Sequence, residues 1–166
     1  EAHGIEPCKA LVDYSKKEKG LINIKNSTIE ETDYPDNYFD LIHFWHVLEH
    51  LIEPKEALNK IYRWLKPGGV LNLGTPSPDN LVTEVYPYIT GFFDLGSLHT
   101  FIFPSKTLTV VLTSIGFEIK SHLVYSASKS GNNIKVRIHN LLHRIFPRAV
   151  SNFQRLEARK PMEPGI

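Results

Sequence analysis

Short apolar runs alternate with amphipathic helical segments along the whole chain, and this alternation is typical of an α/β fold. Residues 39–45 form a near-continuous apolar run with aromatic side chains, which is typical of a strand buried on both faces. Pro54 then opens a segment with apolar side chains at helical spacing, and residues 70–73 form another apolar run. Strand, helix and strand in this order predict parallel strands joined by a right-handed crossover.

The same alternation continues on both sides of this unit. Gly20 and Gly116 each end a helical pattern, and the stretch Lys66-Pro67-Gly68-Gly69 ends another. Parallel sheets bind ligands at the carboxyl ends of their strands, so we expect functional residues directly after strands. The remaining predicted helices cover residues 7–19, 105–115 and 134–146, and the remaining predicted strands cover residues 4–6, 21–25, 117–125 and 153–160.

A chain of 166 residues with 42% apolar content is long enough for one globular domain with a single core. It contains no apolar run of the roughly 20 residues that a membrane-spanning helix needs. The lone Cys8 cannot form an internal disulfide, and no apolar leader opens the sequence, so we expect a cytoplasmic protein. Because the only methionine is Met162, we expect the sequence to be a piece of something longer.

Charge is divided unevenly along the chain. Residues 1–128 hold 11 Lys and Arg against 16 Asp and Glu, whereas residues 129–166 hold 8 against 2. The basic residues of 134–148 accompany apolar ones, so this segment is either a helix on an anionic membrane surface or a helix packed on the sheet with a solvated basic edge. The packed helix is the favoured interpretation. Nucleic-acid binding is not expected, because no aromatic or glycine-rich recognition element accompanies the charge.

Three motifs occur in a fixed order. The first is Tyr38-Phe39-Asp40-Leu41-Ile42 followed by Leu48-Glu49-His50, and the second is Leu65-Lys66-Pro67-Gly68-Gly69 leading to Thr75-Pro76. The third is His99 with Pro104-Ser105-Lys106-Thr107-Leu108 and then Gly116-Phe117. Together they resemble the class I S-adenosylmethionine-dependent methyltransferases, within the small-molecule group that includes quinone- and sugar-modifying enzymes. The resemblance covers roughly residues 4–125.

This resemblance implies an α/β fold: a Rossmann-like three-layer sandwich with a mostly parallel sheet and an antiparallel last strand. We expect residues 1–166 to form one N-terminally incomplete methyltransferase domain, in which residues 129–166 supply the basic helix and the last strand. The first strand and its glycine-rich cofactor loop are absent from the chain. The implied cofactor is S-adenosylmethionine. The implied reaction is methyl transfer to a hydroxyl, amine or carbon of a small molecule or carbohydrate intermediate.

The resemblance also implies which residues hold the cofactor. Glu6 matches the acidic residue after the second strand, whose carboxylate accepts bonds from both ribose hydroxyls. Thr28 and Ile29 match the loop that holds the adenine, although the family usually has an aspartate at the position of Thr28. Trp45 and His46 match the loop near the methionine portion.

Two histidines are candidate general bases, since imidazole exchanges a proton near neutral pH. His46 follows a predicted strand, and His99 lies where the family often has a histidine facing the substrate. The connection between residues 80 and 104 is long enough to be a lid, and its aromatic side chains suit a small organic acceptor. They are Tyr86, Tyr88, Phe92, Phe93, Phe101 and Phe103.

Two alternatives stay open beside the methyltransferase. One is a non-catalytic or degenerate partner that keeps the sheet but not the cofactor. The other is a zinc hydrolase, because His46-x-x-Glu49-His50 matches an inverted zinc-protease motif. That motif needs a regular helix and a third ligand from a downstream helix, and here it follows directly on a predicted strand. We therefore predict no metal site, and interpret Glu49 and His50 as a structural pair that bonds the neighbouring loop.

Overall fold

The computed structural model describes residues 1–79, 99–125 and 153–162, together with the single positions Arg137, Leu141 and Arg144. The chain divides into two compact units, Glu1–Pro35 and Asp36–Ile166. That residues 1–166 form a single domain stays a prediction.

The first unit is a strand, a helix and a parallel strand. Strand β1 (Gly4–Ile5) pairs in parallel with β2 (Ile24–Lys25), and helix α1 (Lys9–Lys19) lies between them in the chain. Gly20 adopts a left-handed φ of 67° and donates its N–H to the carbonyl of Ser15, which ends the helix where the sequence predicts. Both strands are shorter than predicted.

The second unit holds a four-stranded sheet in the order β3-β4-β6-β5. Strand β4 is parallel to β3, and the last strand, β6, lies antiparallel between β4 and β5. The α/β class and the antiparallel last strand are thereby confirmed. The elements are β3 (Phe39–Trp45), a 3-10 turn (Leu48–His50), α2 (Pro54–Trp64), β4 (Leu65–Pro76), α3 (Ser105–Ile115), β5 (Glu118–Tyr125) and β6 (Phe153–Arg159).

The core of this unit lies where α2 and α3 pack against each other and against β4 and β5, respectively. Alternate side chains of the central strands are fully buried, as expected for one covered face of a sheet. Each such aliphatic side chain contributes roughly 1.5–3 kcal/mol on burial. The fully buried side chains include Leu58, Ile61, Leu71, Leu73, Leu108, Leu112 and Leu156.

Strand β3 is only half buried, so the prediction that both of its faces are covered is wrong. Phe44 is buried beside its register partner Leu73, whereas Leu41 is 58% exposed and His43 is exposed as well. Successive side chains of a strand point to opposite faces, and only the face of Phe44 belongs to the core. In the described part of the chain, the apolar run 39–45 thus forms a strand with one face in the core and one face exposed to solvent.

Strand β4 is longer than the predicted 70–73, because the stretch after α2 is already paired with β3. The pairing starts at Phe39 with Leu65, and an irregularity then shifts the register to Leu41 with Val70. Lys66 Nζ donates to Asp40 Oδ1 at 2.7 Å across the two strands. This hydrogen bond holds the pKa of the Asp40 carboxyl below its ordinary value.

The predicted lid, 80–104, lies mostly outside the described residues, as does the basic segment 134–148. Within that segment Arg137, Leu141 and Arg144 are helical and exposed, and membrane contact there stays a prediction. Among the helices that the structure describes, none combines the length and apolar character required to cross a bilayer.

Candidate functional site

His46 stands at the carboxyl end of β3, beside the carboxyl end of the parallel strand β4. Its backbone N–H donates to the carbonyl of Gly74 at 2.8 Å, and its φ of 51° lies in the left-handed region. That conformation is uncommon for residues other than glycine, although histidine adopts it more often than most. The side chain is 39% exposed. His46 thus lies at the sheet edge where α/β folds bind ligands.

The carboxylate of Glu49 is buried beside this histidine. Glu49 Oε1 lies 3.0 Å from His46 Nδ1, and Oε2 accepts a hydrogen bond from Thr75 Oγ1 at 3.0 Å. An ionised carboxylate only accepts, so we assign the proton of the ring to Nδ1. Nε2 is then the nitrogen that can take up a further proton. Glu49 fixes both the tautomer and the orientation of His46.

Aromatic rings surround the pair. Trp45 lies against Gly74, where an added Cβ would come 2.5 Å from the indole, and its ring stacks on His43 at 5.5 Å between centroids. On another side, the ring of Phe153 meets His46 edge-on at 5.3 Å. These contacts supply flat apolar surface next to an imidazole, as small-molecule sites commonly do.

The chain segment from His99 to Phe101 is bonded to the turn that carries Glu49. The backbone N–H groups of Thr100 and Phe101 both donate to the Glu49 carbonyl, at 2.8 and 3.0 Å. His99 lies against His50, with ring centroids 4.8 Å apart. Its Nδ1 is buried and has no hydrogen-bond partner among the described residues. The expected bond between the Glu49–His50 pair and a neighbouring loop is present through the backbone.

Gln154 holds the same segment from β6. Its side chain is fully buried and donates to the carbonyl of Phe103 at 2.6 Å and to that of Pro76 at 3.4 Å. Its Oε1 lies 2.9 Å from His122 Nε2. Pro76 lies just before the predicted lid, 80–104, and Phe103 lies near its other end. One side chain therefore secures both ends of this connection.

The residues predicted to hold the ribose and adenine lie in the first unit. Glu6 follows β1, and its Oε1 accepts the N–H of Cys8 at 2.8 Å. The hydroxyl of Thr28 accepts the N–H of Glu31 at 3.3 Å, and Ile29 is 8% exposed. Glu6 directly follows β1, and Thr28 and Ile29 lie in the loop shortly after β2.

Thr75 and Gln154 were not predicted as site residues. Thr75 stands before Pro76 in a stretch that is typical of a turn, and Gln154 is the second residue of a strand with no motif around it. Each acquires its partner from more than 20 residues away in the sequence. A polar residue at a strand end of an α/β sheet is the one signal that could have indicated Thr75.

Comparisons with known proteins agree with one another. A family model described as a methyltransferase domain matches residues 1–122. The chain is 28% identical over 120 residues to a probable S-adenosylmethionine-dependent methyltransferase of Mycolicibacterium smegmatis, covering 72% of this chain and 44% of that protein. It is 34% identical over 83 residues to the ubiquinone/menaquinone biosynthesis C-methyltransferase UbiE of Psychromonas ingrahamii, covering 48% and 30%. The chain thus spans less than half the length of these curated relatives.

The fold has relatives among solved structures. A SAM dependent methyltransferase from Archaeoglobus fulgidus superposes with a TM-score of 0.65 at 20% identity, over 96% of this chain and 76% of that one. At this identity the likeness concerns the fold alone.

Proposed function

This chain belongs to the class I S-adenosylmethionine-dependent methyltransferases, and from that premise we propose that the protein methylates a hydroxyl, amine or carbon of a small molecule or carbohydrate intermediate. The observation that carries the proposal is the His46–Glu49 pair at the carboxyl ends of β3 and β4, with a bond of 3.0 Å at Nδ1. Such a pair offers an oriented proton acceptor where this fold class binds its ligands.

Methyl transfer from a sulfonium is an in-line displacement, which demands alignment, exclusion of water and removal of a proton from the acceptor. Bound S-adenosylmethionine supplies an electrophilic methyl carbon. The acceptor would supply the electron pair of the new bond, from a heteroatom or from an activated carbon, and the departing sulfur would keep the electrons of the bond to the methyl group. We assign the acceptor's proton to His46 Nε2, since Nδ1 is engaged with Glu49. Trp45 is proposed to contact the methionine portion.

We propose that residues of the first unit hold the ribose and the adenine, as the resemblance implies. Glu6 Oε1 accepts the N–H of Cys8, and the carboxylate keeps further lone pairs that can accept from a ribose hydroxyl. The Thr28 hydroxyl accepts one hydrogen bond and retains a second lone pair for the adenine amine. Ile29 is 8% exposed, so only a small part of its side chain is available to the ring.

His46 is supported over His99 as the base. The side chain of His46 is 39% exposed, and a base must reach its substrate. Nδ1 of His99 is buried, and its ring lies against His50. His99 is consequently assigned a supporting position in the site.

The assignment is tested by comparing His46→Ala with His99→Ala in methyl transfer from labelled S-adenosylmethionine to a panel of phenol, amine and quinol acceptors. For an acceptor that must lose a proton, His46→Ala is expected to lower kcat about 10²–10⁴-fold, the usual contribution of a general base. Cofactor binding, followed by calorimetry, should fall much less than kcat, because His46 is only one of the residues predicted to hold the cofactor. Full turnover by His46→Ala would remove this histidine from the mechanism.

A further inference from the structure

We propose that Glu49, His50 and His99 bind one divalent metal ion of the zinc type. Each residue offers a ligand atom, and the three atoms lie within 4.8 Å of one another. Two imidazoles and a carboxylate form a donor set that zinc and neighbouring transition metals prefer, whereas Mg²⁺ and Ca²⁺ favour oxygen alone. The proposal does not depend on the methyltransferase assignment.

The spacing is close to that of a formed site. Nitrogen and oxygen ligands bind zinc at about 2.0–2.2 Å, which puts two tetrahedral ligands about 3.4 Å apart. A separation of at most 4.8 Å therefore requires the side chains to close by no more than about 1.4 Å. His50 is exposed, and its ring already lies against that of His99, with centroids 4.8 Å apart.

The backbone already joins the two segments that carry the ligands. Glu49 and His50 lie in the turn Leu48–His50, and His99 comes from 49 residues further along the chain. Thr100 and Phe101 donate their N–H groups to the Glu49 carbonyl, at 2.8 and 3.0 Å. The ligands are thus brought together before any ion arrives, which lowers the entropic cost of forming the site.

The carboxylate of Glu49 is also held in place by two residues outside the proposed ligand set. His46 Nδ1 and Thr75 Oγ1 each lie 3.0 Å from one of its carboxylate oxygens. Metal-binding carboxylates are commonly held by such outer partners, which fix the ligand and tune its affinity. Each oxygen has a second lone pair, so it can bind an ion while keeping its hydrogen bond.

His99 supplies an independent indication of a missing ligand. Its Nδ1 is buried and has no hydrogen-bond partner in the described part of the chain. Buried polar atoms of native proteins nearly always have a partner. A metal ion bound at this nitrogen would satisfy it.

The site differs from the inverted zinc-protease motif, although it shares Glu49 and His50 with it. His46 is not among the three residues whose ligand atoms converge, and its backbone is left-handed, outside any helix. The third ligand comes from a loop and not from a downstream helix. An ion here cross-links the turn Leu48–His50 to residues 99–101, and so fixes the chain where it returns from the predicted lid.

The test is metal binding by the full chain, prepared without a polyhistidine tag and stripped with a chelator. Zn²⁺ is titrated in competition with a chromophoric chelator, and Co²⁺ is added separately because its visible spectrum reports the ligand geometry. We expect one ion per chain. His50→Ala and His99→Ala should each weaken binding at least about 100-fold, beyond the 10–100-fold typical of outer partners. His43→Ala, an exposed histidine outside the cluster, should bind as the wild type does.

Circular dichroism of each variant distinguishes loss of a ligand from loss of the fold. His50→Ala carries the greater weight, because an exposed side chain can be truncated at little cost in stability. A folded His50→Ala variant that binds Zn²⁺ as tightly as the wild type would overturn the proposal. So would a wild-type chain that binds less than one equivalent, or equal weakening by His43→Ala, which indicates adventitious binding by surface histidines.

Discussion

Among single side chains, Glu49 is the one on which the candidate site depends most. It is fully buried, and its carboxylate meets His46 on one oxygen and Thr75 on the other. A buried carboxylate without partners is costly, so these two bonds stabilise the fold as well as orienting the imidazole. The motif around Glu49 identifies the residue from the sequence. Its bond to Thr75 joins two strand ends 26 residues apart, and no local pattern predicts it.

Thr75→Val tests this arrangement, because it keeps the shape of the side chain and removes the donor to Glu49. We expect a loss of about 1–3 kcal/mol in the free energy of unfolding, the usual cost of depriving a buried acceptor of its partner. Urea denaturation measures it. The same change at the exposed Thr107 is the control and should alter stability by no more than about 0.5 kcal/mol. Equal stability of the two variants contradicts the proposed role of Thr75.

Gly74→Ala tests the contact between β3 and β4 at the site. An added Cβ would come 2.5 Å from the ring of Trp45, so the indole or a strand must move. Overpacking of this kind costs about 1–3 kcal/mol. Gly4→Ala, also in a strand, would place its Cβ 3.3 Å from the side chain of Ile24 and should cost less. If Gly74→Ala proves no more destabilising than Gly4→Ala in thermal unfolding, the close approach of Trp45 is not as described.

At the scale of helices and strands, much of the second unit follows from local sequence. Helix α3 spans Ser105–Ile115 as predicted, because Gly116 takes a left-handed φ of 117° that ends it. Pro54 opens α2 for an equally local reason, since proline needs no N–H partner in the first turn. The open face of β3 was not predicted, because whether a strand's second face is covered depends on elements distant in the sequence.

Strand β6 is a second case in which the sequence predicts the element but not its distant contacts. Its residues predict a strand, but nothing local indicates that Gln154 reaches the carbonyls of Pro76 and Phe103. Likewise, the sequence identifies His99 as a candidate base without indicating that it meets His50. Contacts between loops separated by about 50 residues depend on the folded sheet. Strand-end positions can be predicted, whereas their partners cannot.

Gln154→Ala is expected to destabilise the protein by about 2–4 kcal/mol, because the buried carbonyl of Pro76 and the part-buried carbonyl of Phe103 lose a donor and His122 Nε2 loses its partner. Hydrogen exchange should also rise at the amides near Phe103. Arg155→Ala, the next residue on the exposed face of the same strand, is the matched control and should have little effect. Unchanged exchange near Phe103 in Gln154→Ala would show that this side chain does not secure the connection.

On the scale of the whole chain, family membership and individual roles rest on different evidence. The matched family model and the fold cover residues from both units, with Glu6 and Thr28 in the first and His46 in the second. The chain also spans 44% and 30% of two curated relatives. Methyl transfer by the protein is therefore an inference from family and site together, and it requires a direct measurement.

Calorimetric titration of S-adenosylmethionine into the protein at its natural length tests that inference most directly. We predict saturable binding of one equivalent, with a Kd well below 1 mM, which corresponds to more than about 4 kcal/mol of binding free energy. Glu6→Ala should weaken binding by depriving the ribose of its carboxylate, while Thr107→Val, at an exposed position outside the site, should leave it unchanged. Absence of saturable binding at millimolar cofactor by a folded protein would contradict the account and favour a partner that keeps the sheet without the cofactor.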